Sequence, residues 1–395
     1  MTLSSKMIYG AKWFPHYLFQ SFRRRGSGGG HVHLVMALAD HFEPSVLPHA
    51  DGGVQHAPRA VQERRLESWC QNYPTAVGQW RDAGGYPFRH TYFYPAEQYD
   101  RDLVERLSQH CAEGWGEIEI HLHHGMAAPD TAENTHRQLL EFRDALAHQH
   151  RCLCYLDGRG TPRYAFVHGN FALANSAGGV NCGVDDEMKL LADTGCYADF
   201  TLPTAPFHPA QIGKINSLYE CGFPLEQRAA HRNGTDLRVG GRPEIFPLMI
   251  QGPLLPNFDS PDGGRWLSIE NGALTKPNPP SLRRLRLWKR AGICVRGRPD
   301  WLFIKLHCHS MDPTQQDAVL GDSMQRFLRE LVEGAPERNE TLHFVTAREM
   351  ANIILAACDG RAGNPGDYRN YRLKRNPDGS PSCIDENIWP VAVKG

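Results

Sequence analysis

No stretch of this 395-residue sequence approaches the roughly 20 consecutive apolar residues that a membrane-spanning helix requires. The first residues hold no apolar signal region, and the expectation is a cytoplasmic protein. Net charge is nearly absent. Lysine and arginine number 43 against 44 aspartates and glutamates, so no electrostatic attraction to nucleic acid is expected. C-x-x-C pairs are missing from the eleven cysteines, which run from Cys70 to Cys383. Cys152 and Cys154 stand too close together for a zinc knuckle. An odd, scattered set argues for reduced thiols and against a disulfide framework. Disorder is excluded too, because 41% hydrophobic and 22% charged residues suit a folded chain with a core.

Histidine is what the sequence has in quantity, 20 against nine methionines. Three fall within four positions in Glu117-Ile118-Glu119-Ile120-His121-Leu122-His123-His124-Gly125. Period-two alternation puts His121 and His123 on one face of a strand and Leu122 on the other. Neutral ring nitrogens placed together at a strand end suit a divalent metal. A polar loop that happens to carry histidines is the competing reading.

Near the N-terminus, Trp13-Phe14-Pro15-His16-Tyr17-Leu18-Phe19 precedes Arg23-Arg24-Arg25. Residues 13–25 either pack on the domain or make a peripheral contact with an anionic membrane surface. Residues 1–30 read as an N-terminal extension ending in the flexible Gly26-Ser27-Gly28-Gly29-Gly30 hinge. From His33 the pattern alternates. Strand-like runs at 33–39, 86–94, 117–122, 164–167, 196–201, 245–250, 301–306 and 341–345 are separated by helix-like segments. Pro74 is expected to split the helix over 59–80, and 314–333 reads as one helix. Thr346 and Glu349 form a capping-box pattern ahead of Ala347 to Cys358. The fold class read from this is α/β: a distorted (β/α) barrel over residues 31–358 with about seven to eight parallel strands. Residues 359–395, rich in Gly, Pro, Asn and Arg, read as a tail packed on the barrel.

Several strands end in side chains able to do chemistry: Asp40, Glu97, His121, His168, Asp199, Gln251 and His307. In a β/α barrel such ends converge on one face, which would bring the histidine cluster beside Asp40. Trp115, Trp266, Phe171 and Tyr197 are aromatic candidates to stack on sugar rings or to fill the core.

Asp40-His41, the Glu-Ile-His-Leu-His-His run and Lys305-Leu306-His307-Cys308-His309 together resemble the polysaccharide deacetylase superfamily of distorted β/α barrels. Phe166-Val167-His168-Gly169-Asn170, Cys196 to Pro203 and Val345 to Met350 resemble an uncharacterised bacterial branch of it. The likeness covers roughly residues 33 to 358. It implies a metal-dependent hydrolase that removes an acyl group from a carbohydrate in surface polysaccharide metabolism, with zinc as the expected ion. Where the family has two aspartates this chain has Asp40-His41. Either Asp40 is a ligand with the base elsewhere, Glu43 being nearest, or Asp40 is the base and His41 the ligand. Where the family has H-x-x-x-H, His121 fits the first position, and His123 and His124 compete for the second. The family's late histidine fits His307 as the acid. Glu97, His168, Asn170, Lys305 and His309 are the expected substrate contacts. A glycoside hydrolase on the same barrel, or a carbohydrate-binding barrel that has lost catalysis, are the competing readings.

Overall fold

The computed structural model describes residues 3–23, 30–47, 56–258 and 268–375. Strands β1 (Val32–His41), β2 (His90–Pro95), β3 (Gly116–Leu122), β4 (Arg159–His168), β5 (Cys196–Asp199), β6 (Leu248–Ile250), β7 (Trp301–Cys308) and β8 (Glu340–Phe344) form the parallel body of one sheet. Its order is β7-β1-β2-β3-β4-β5-β6. One edge of β1 is shared in succession. Val32 to Met36 pair with β8, and Leu38 to His41 pair with β2.

The sheet has twelve strands, more than expected. The excess consists of short antiparallel additions: Leu218–Cys221, Gly234–Asp236, Cys154–Leu156 and Leu373–Arg375. Runs of three or four residues are too brief for hydrophobic alternation to reveal. The sheet is mixed and mostly parallel, and among the described residues no pairing of β6 with β7 closes it into a barrel. A separate ribbon, Leu255–Asn257 with Ser268–Glu270, lies outside it.

Helices α1 (Leu3–Arg23), α2 (Arg59–Val77), α3 (Arg101–His110), α4 (Ala132–Asp144), α5 (Glu187–Asp193), α6 (Leu282–Ala291), α7 (Asp322–Glu333) and α8 (Ala347–Cys358) connect or flank the strands. Their ends follow the local chemistry. Asp100 caps α3, Ser281 caps α6, and Thr346 with Glu349 closes a capping box on α8. Two boundaries differ from expectation. Pro74 sits inside α2 without splitting it, since its own helix runs only three residues further. The helix expected over 314–333 breaks at Gly321, leaving Asp317–Leu320 and α7.

Strand alternation divides the core. Leu34, Met36 and Leu38 join Tyr92, Ile118, Ile120, Leu122 and the helix residues Trp69 and Leu107 in one cluster. Val35, Ala37 and Ala39 join Phe93, Val167, Leu248 and Phe303 in the other, on the opposite face of the sheet. Beyond α8, Arg369 pairs with Asp82 and, at 3.2 Å, with Glu349. Asn352 hydrogen-bonds the backbone of Leu373 through both its amide groups. The remainder of the expected tail, 376–395, and the hinge glycines at 26, 28 and 29 lie outside the described residues.

Candidate metal centre

His41 closes the series Val35, Ala37, Ala39 on one face, while Asp40 closes the series Leu34, Met36, Leu38 on the other. The two neighbours therefore serve opposite sides of the sheet. His41, Glu43 and His121, all buried, offer ligand atoms within 4.8 Å of one another. The His41 ring packs on His121 at 4.7 Å and on His309 at 4.5 Å, and His307 stands 6.4 Å away.

Proton accounting separates this cluster from the others. The Val167 carbonyl can only accept, so His121 Nδ1, 2.9 Å from it, carries the proton. That leaves a lone pair on Nε2 in the neutral ring. Nε2 faces Glu43 Oε1 at 3.0 Å. Burial, with His123 adding, holds the His121 pKa below its usual value. Burial raises Glu43, and positive charge at His121 Nε2 and in the surrounding ring sites outweighs it, holding Glu43 down to about 2. A lone pair thus confronts a carboxylate across hydrogen-bond distance. A cation between them resolves the conflict. Beside them His41 Nδ1 is buried with no hydrogen-bond partner among the described residues. Burial and the neighbouring rings keep His41 neutral, the form that ligates metals. The donor set fits a divalent ion.

His123 borders the cluster. Its Nδ1 donates to Glu97 Oε1 at 2.8 Å, and its Nε2 points at Glu43 Oε1 from 3.4 Å. Glu97 also accepts the His123 backbone N–H at 3.2 Å. Burial lowers the His123 pKa, yet Glu97 and Glu43 outweigh it and the net shift is upward. Glu97, expected to contact substrate, instead orients this histidine. Gly169 is required here, because a Cβ on it would come within 2.3 Å of the His123 ring.

Asp40 does not meet His121. Its carboxylate accepts His90 Nδ1–H at 2.9 Å, Ser310 N–H at 2.9 Å and Ser310 Oγ–H at 2.5 Å. The Cys308 thiol adds to the same group. Asp40, His90 and Cys308 form a second set of possible ligands under Trp69 and Tyr73, which pack on His90, and His90 Nε2 is buried with no hydrogen-bond partner among the described residues. Nor does His124 compete with His123. Both of its nitrogens face acceptors, Nδ1 to Asp130 at 2.9 Å and Nε2 to Glu187 at 2.9 Å. Each needs a proton, so His124 is a cation between two carboxylates, and its pKa is raised to about 9 against the effect of burial.

His168 groups with His124 and Glu187 as a third set of possible ligands. Its Nδ1 accepts the Asn170 N–H at 3.1 Å, which puts the proton of the neutral ring on Nε2 and removes the lone pair a metal needs there. Lys305 donates to the Phe200 carbonyl at 2.7 Å and is fully buried, so it is not open to a ligand. His307 is held neutral by burial, with Nδ1 unpartnered. His309 is half-buried at the rim. Asn170 lies at the same lip, next to Phe171, whose ring is 6.2 Å from His41. Of the other aromatic candidates, Tyr197 is buried on Glu119, Trp115 packs on Tyr73 and His110, and Trp266 lies outside the described residues.

No family model matches the chain, and no curated protein matches it. Sequence reasoning overlooked His90, Ser310 and Glu187. Nothing in their local pattern marks them, since their partners lie 50, 270 and 63 residues away in the chain.

Proposed function

We propose that the chain is a metal-dependent hydrolase that removes an acyl group from a carbohydrate. The observation that carries this is the His121 lone pair aimed at the Glu43 carboxylate beside the unpartnered His41 Nδ1. His41, Glu43 and His121 would hold the ion. Two histidines and one glutamate is a ligand set catalytic zinc uses, and zinc is the ion we assign. When bound, such an ion supplies Lewis acidity towards an acyl carbonyl and lowers the pKa of a water.

The chain's own residues supply the proton traffic. Glu97 fixes the His123 ring through Nδ1, which leaves Nε2 facing the cluster. There it takes a proton from the attacking water and returns it to the departing nitrogen or oxygen. Glu43 therefore acts as a ligand and not as the base, and His123 replaces His307 as the acid. Phe171 and Asn170 at the lip suit a sugar face and its hydroxyls. The carbohydrate substrate rests on the resemblance of the strand-end motifs to polysaccharide deacetylases. A glycosidase is less favoured, because Glu43 and Glu97 both lean on His123 and neither is free to protonate a glycosidic oxygen.

The test is acetate release from acetylated oligosaccharides by metal-replete protein, compared with His123→Gln. Turnover by the wild type and a loss of about a hundredfold in the variant support the reading. A metal-loaded wild type that releases no acetate refutes it.

A further inference from the structure

We propose that the outer face of α1 docks on an anionic lipid bilayer. The inner face of this helix is already occupied. Trp13, buried, packs with Ile215 and Leu254 and donates to the Pro206 carbonyl at 3.1 Å. Gln20 donates to the Ile215 carbonyl at 2.6 Å and accepts from Asn216 at 3.2 Å. The helix is thus fixed in orientation, and its other side is presented to solvent.

That other side is apolar. Among the described residues eight large hydrophobic side chains are exposed, and four of them, Ile8, Phe14, Leu18 and Phe19, lie on α1. Their exposures are 63, 39, 43 and 56%. At the α-helical rotation all four fall within an arc of about 140°, with Ala11 and Pro15 between them. An arc this wide, continuous and solvent-facing is not the scatter of single apolar residues found on ordinary surfaces.

Charge decides the occupant. No aspartate or glutamate precedes Asp40, whereas Lys6, Lys12, Arg23, Arg24 and Arg25 do. A second copy paired stripe to stripe would bring two such wholly basic N-terminal segments together, which like charge opposes. A bilayer carrying anionic headgroups matches both properties: the apolar stripe enters the acyl boundary, and the sequence before Asp40 carries five basic residues and no acidic one. No helix of the described residues is long and apolar enough to cross a membrane, so the contact lies in the interface plane. The docked helix also reaches the candidate centre. Phe207 lies against Gly10, the next residue, His208, packs on Phe171 at 6.1 Å, and Phe171 borders His41.

Co-sedimentation of the full chain with lipid vesicles tests this. Binding is expected to vesicles of mixed phosphatidylserine and phosphatidylcholine, and to be at least about tenfold weaker on phosphatidylcholine alone or in high salt. The double variant Phe14→Asp, Leu18→Asp should lose binding while the chain stays folded, because both side chains are exposed and only the Phe14 ring touches Trp13 and Tyr17. Arg24→Glu with Arg25→Glu should weaken binding to the anionic vesicles while leaving the stripe intact. The proposal is overturned if the wild type binds no vesicles, whether a second copy or the chain's own last residues cover the stripe. It is equally overturned if the Phe14, Leu18 variant binds as the wild type does.

Discussion

His121 Nε2 faces the Glu43 carboxylate at 3.0 Å while Nδ1 donates to the Val167 carbonyl at 2.9 Å, so in the neutral ring that burial favours a lone pair meets a carboxylate. The arrangement is unfavourable as it stands and favourable around a cation. Protein purified without chelators is therefore expected to hold a stoichiometric divalent metal by elemental analysis. His41→Ala and His121→Ala should each lose it. Retention of metal by either variant would remove both from the ligand set.

Asp40 gives the contrasting outcome. Asp40→Ala strands the His90 and Ser310 donors in a dry site, where each unmet group costs about 1 to 3 kcal/mol. Urea unfolding should show a loss of about 3 kcal/mol or more, while the metal content of the folded fraction stays that of the wild type. Loss of metal without loss of stability would return Asp40 to the ligand set.

Glu97 is expected to act through His123. Glu97→Gln keeps the size of the side chain but replaces the carboxylate that holds Nδ1. If the hydrolase reading holds, kcat should fall by about ten- to a hundredfold with KM and metal content little changed. A change confined to KM would make Glu97 a substrate contact instead.

Three histidines distant from the centre set an acid limit. Burial holds His110, His231 and His343 down to about 3 in the folded chain, with Arg106, Arg232 and His33 adding respectively. In the unfolded chain the same rings take up protons near pH 6.5. Between those limits the unfolded state binds more protons, so stability is full above about pH 6.5 and falls as the pH drops towards 3. Each ring contributes a slope of up to about 1.4 kcal/mol per pH unit. Chemical denaturation across that range should show the decline, and His231→Phe should make it shallower. An unchanged slope in that variant would count against the assignment.

Arg369 ties the segment after α8 to the body of the protein. Arg369→Ala leaves the buried Asp82 and Glu349 carboxylates without this partner. A loss of about 3 kcal/mol or more is expected, read as a lower melting temperature. A shift within error would mean that the 359–375 segment contributes little to stability.

Much of this molecule is legible along the chain. Continuous apolar runs mark β1 and β7, alternation marks β3, and the Thr346 and Glu349 pair places the start of α8, because these signals are local. Strand parity separates His41 from Asp40: Asp40 shares its parity with Leu34, Met36 and Leu38, and one-residue parity is a property of any extended chain. The histidine-rich end of β3 announces a metal centre through residue type alone. Which histidines belong to it is a different matter. His121, His123 and His124 lie within four positions, yet they meet Glu43, Glu97 and the Asp130–Glu187 pair respectively. Those partners lie up to 78 residues away in sequence. They are set by the order of strands in the sheet and by the helices laid on it. The tertiary structure assigned the roles because a ring nitrogen is a ligand or a proton donor according to what faces it, and what faces it is decided by long-range packing.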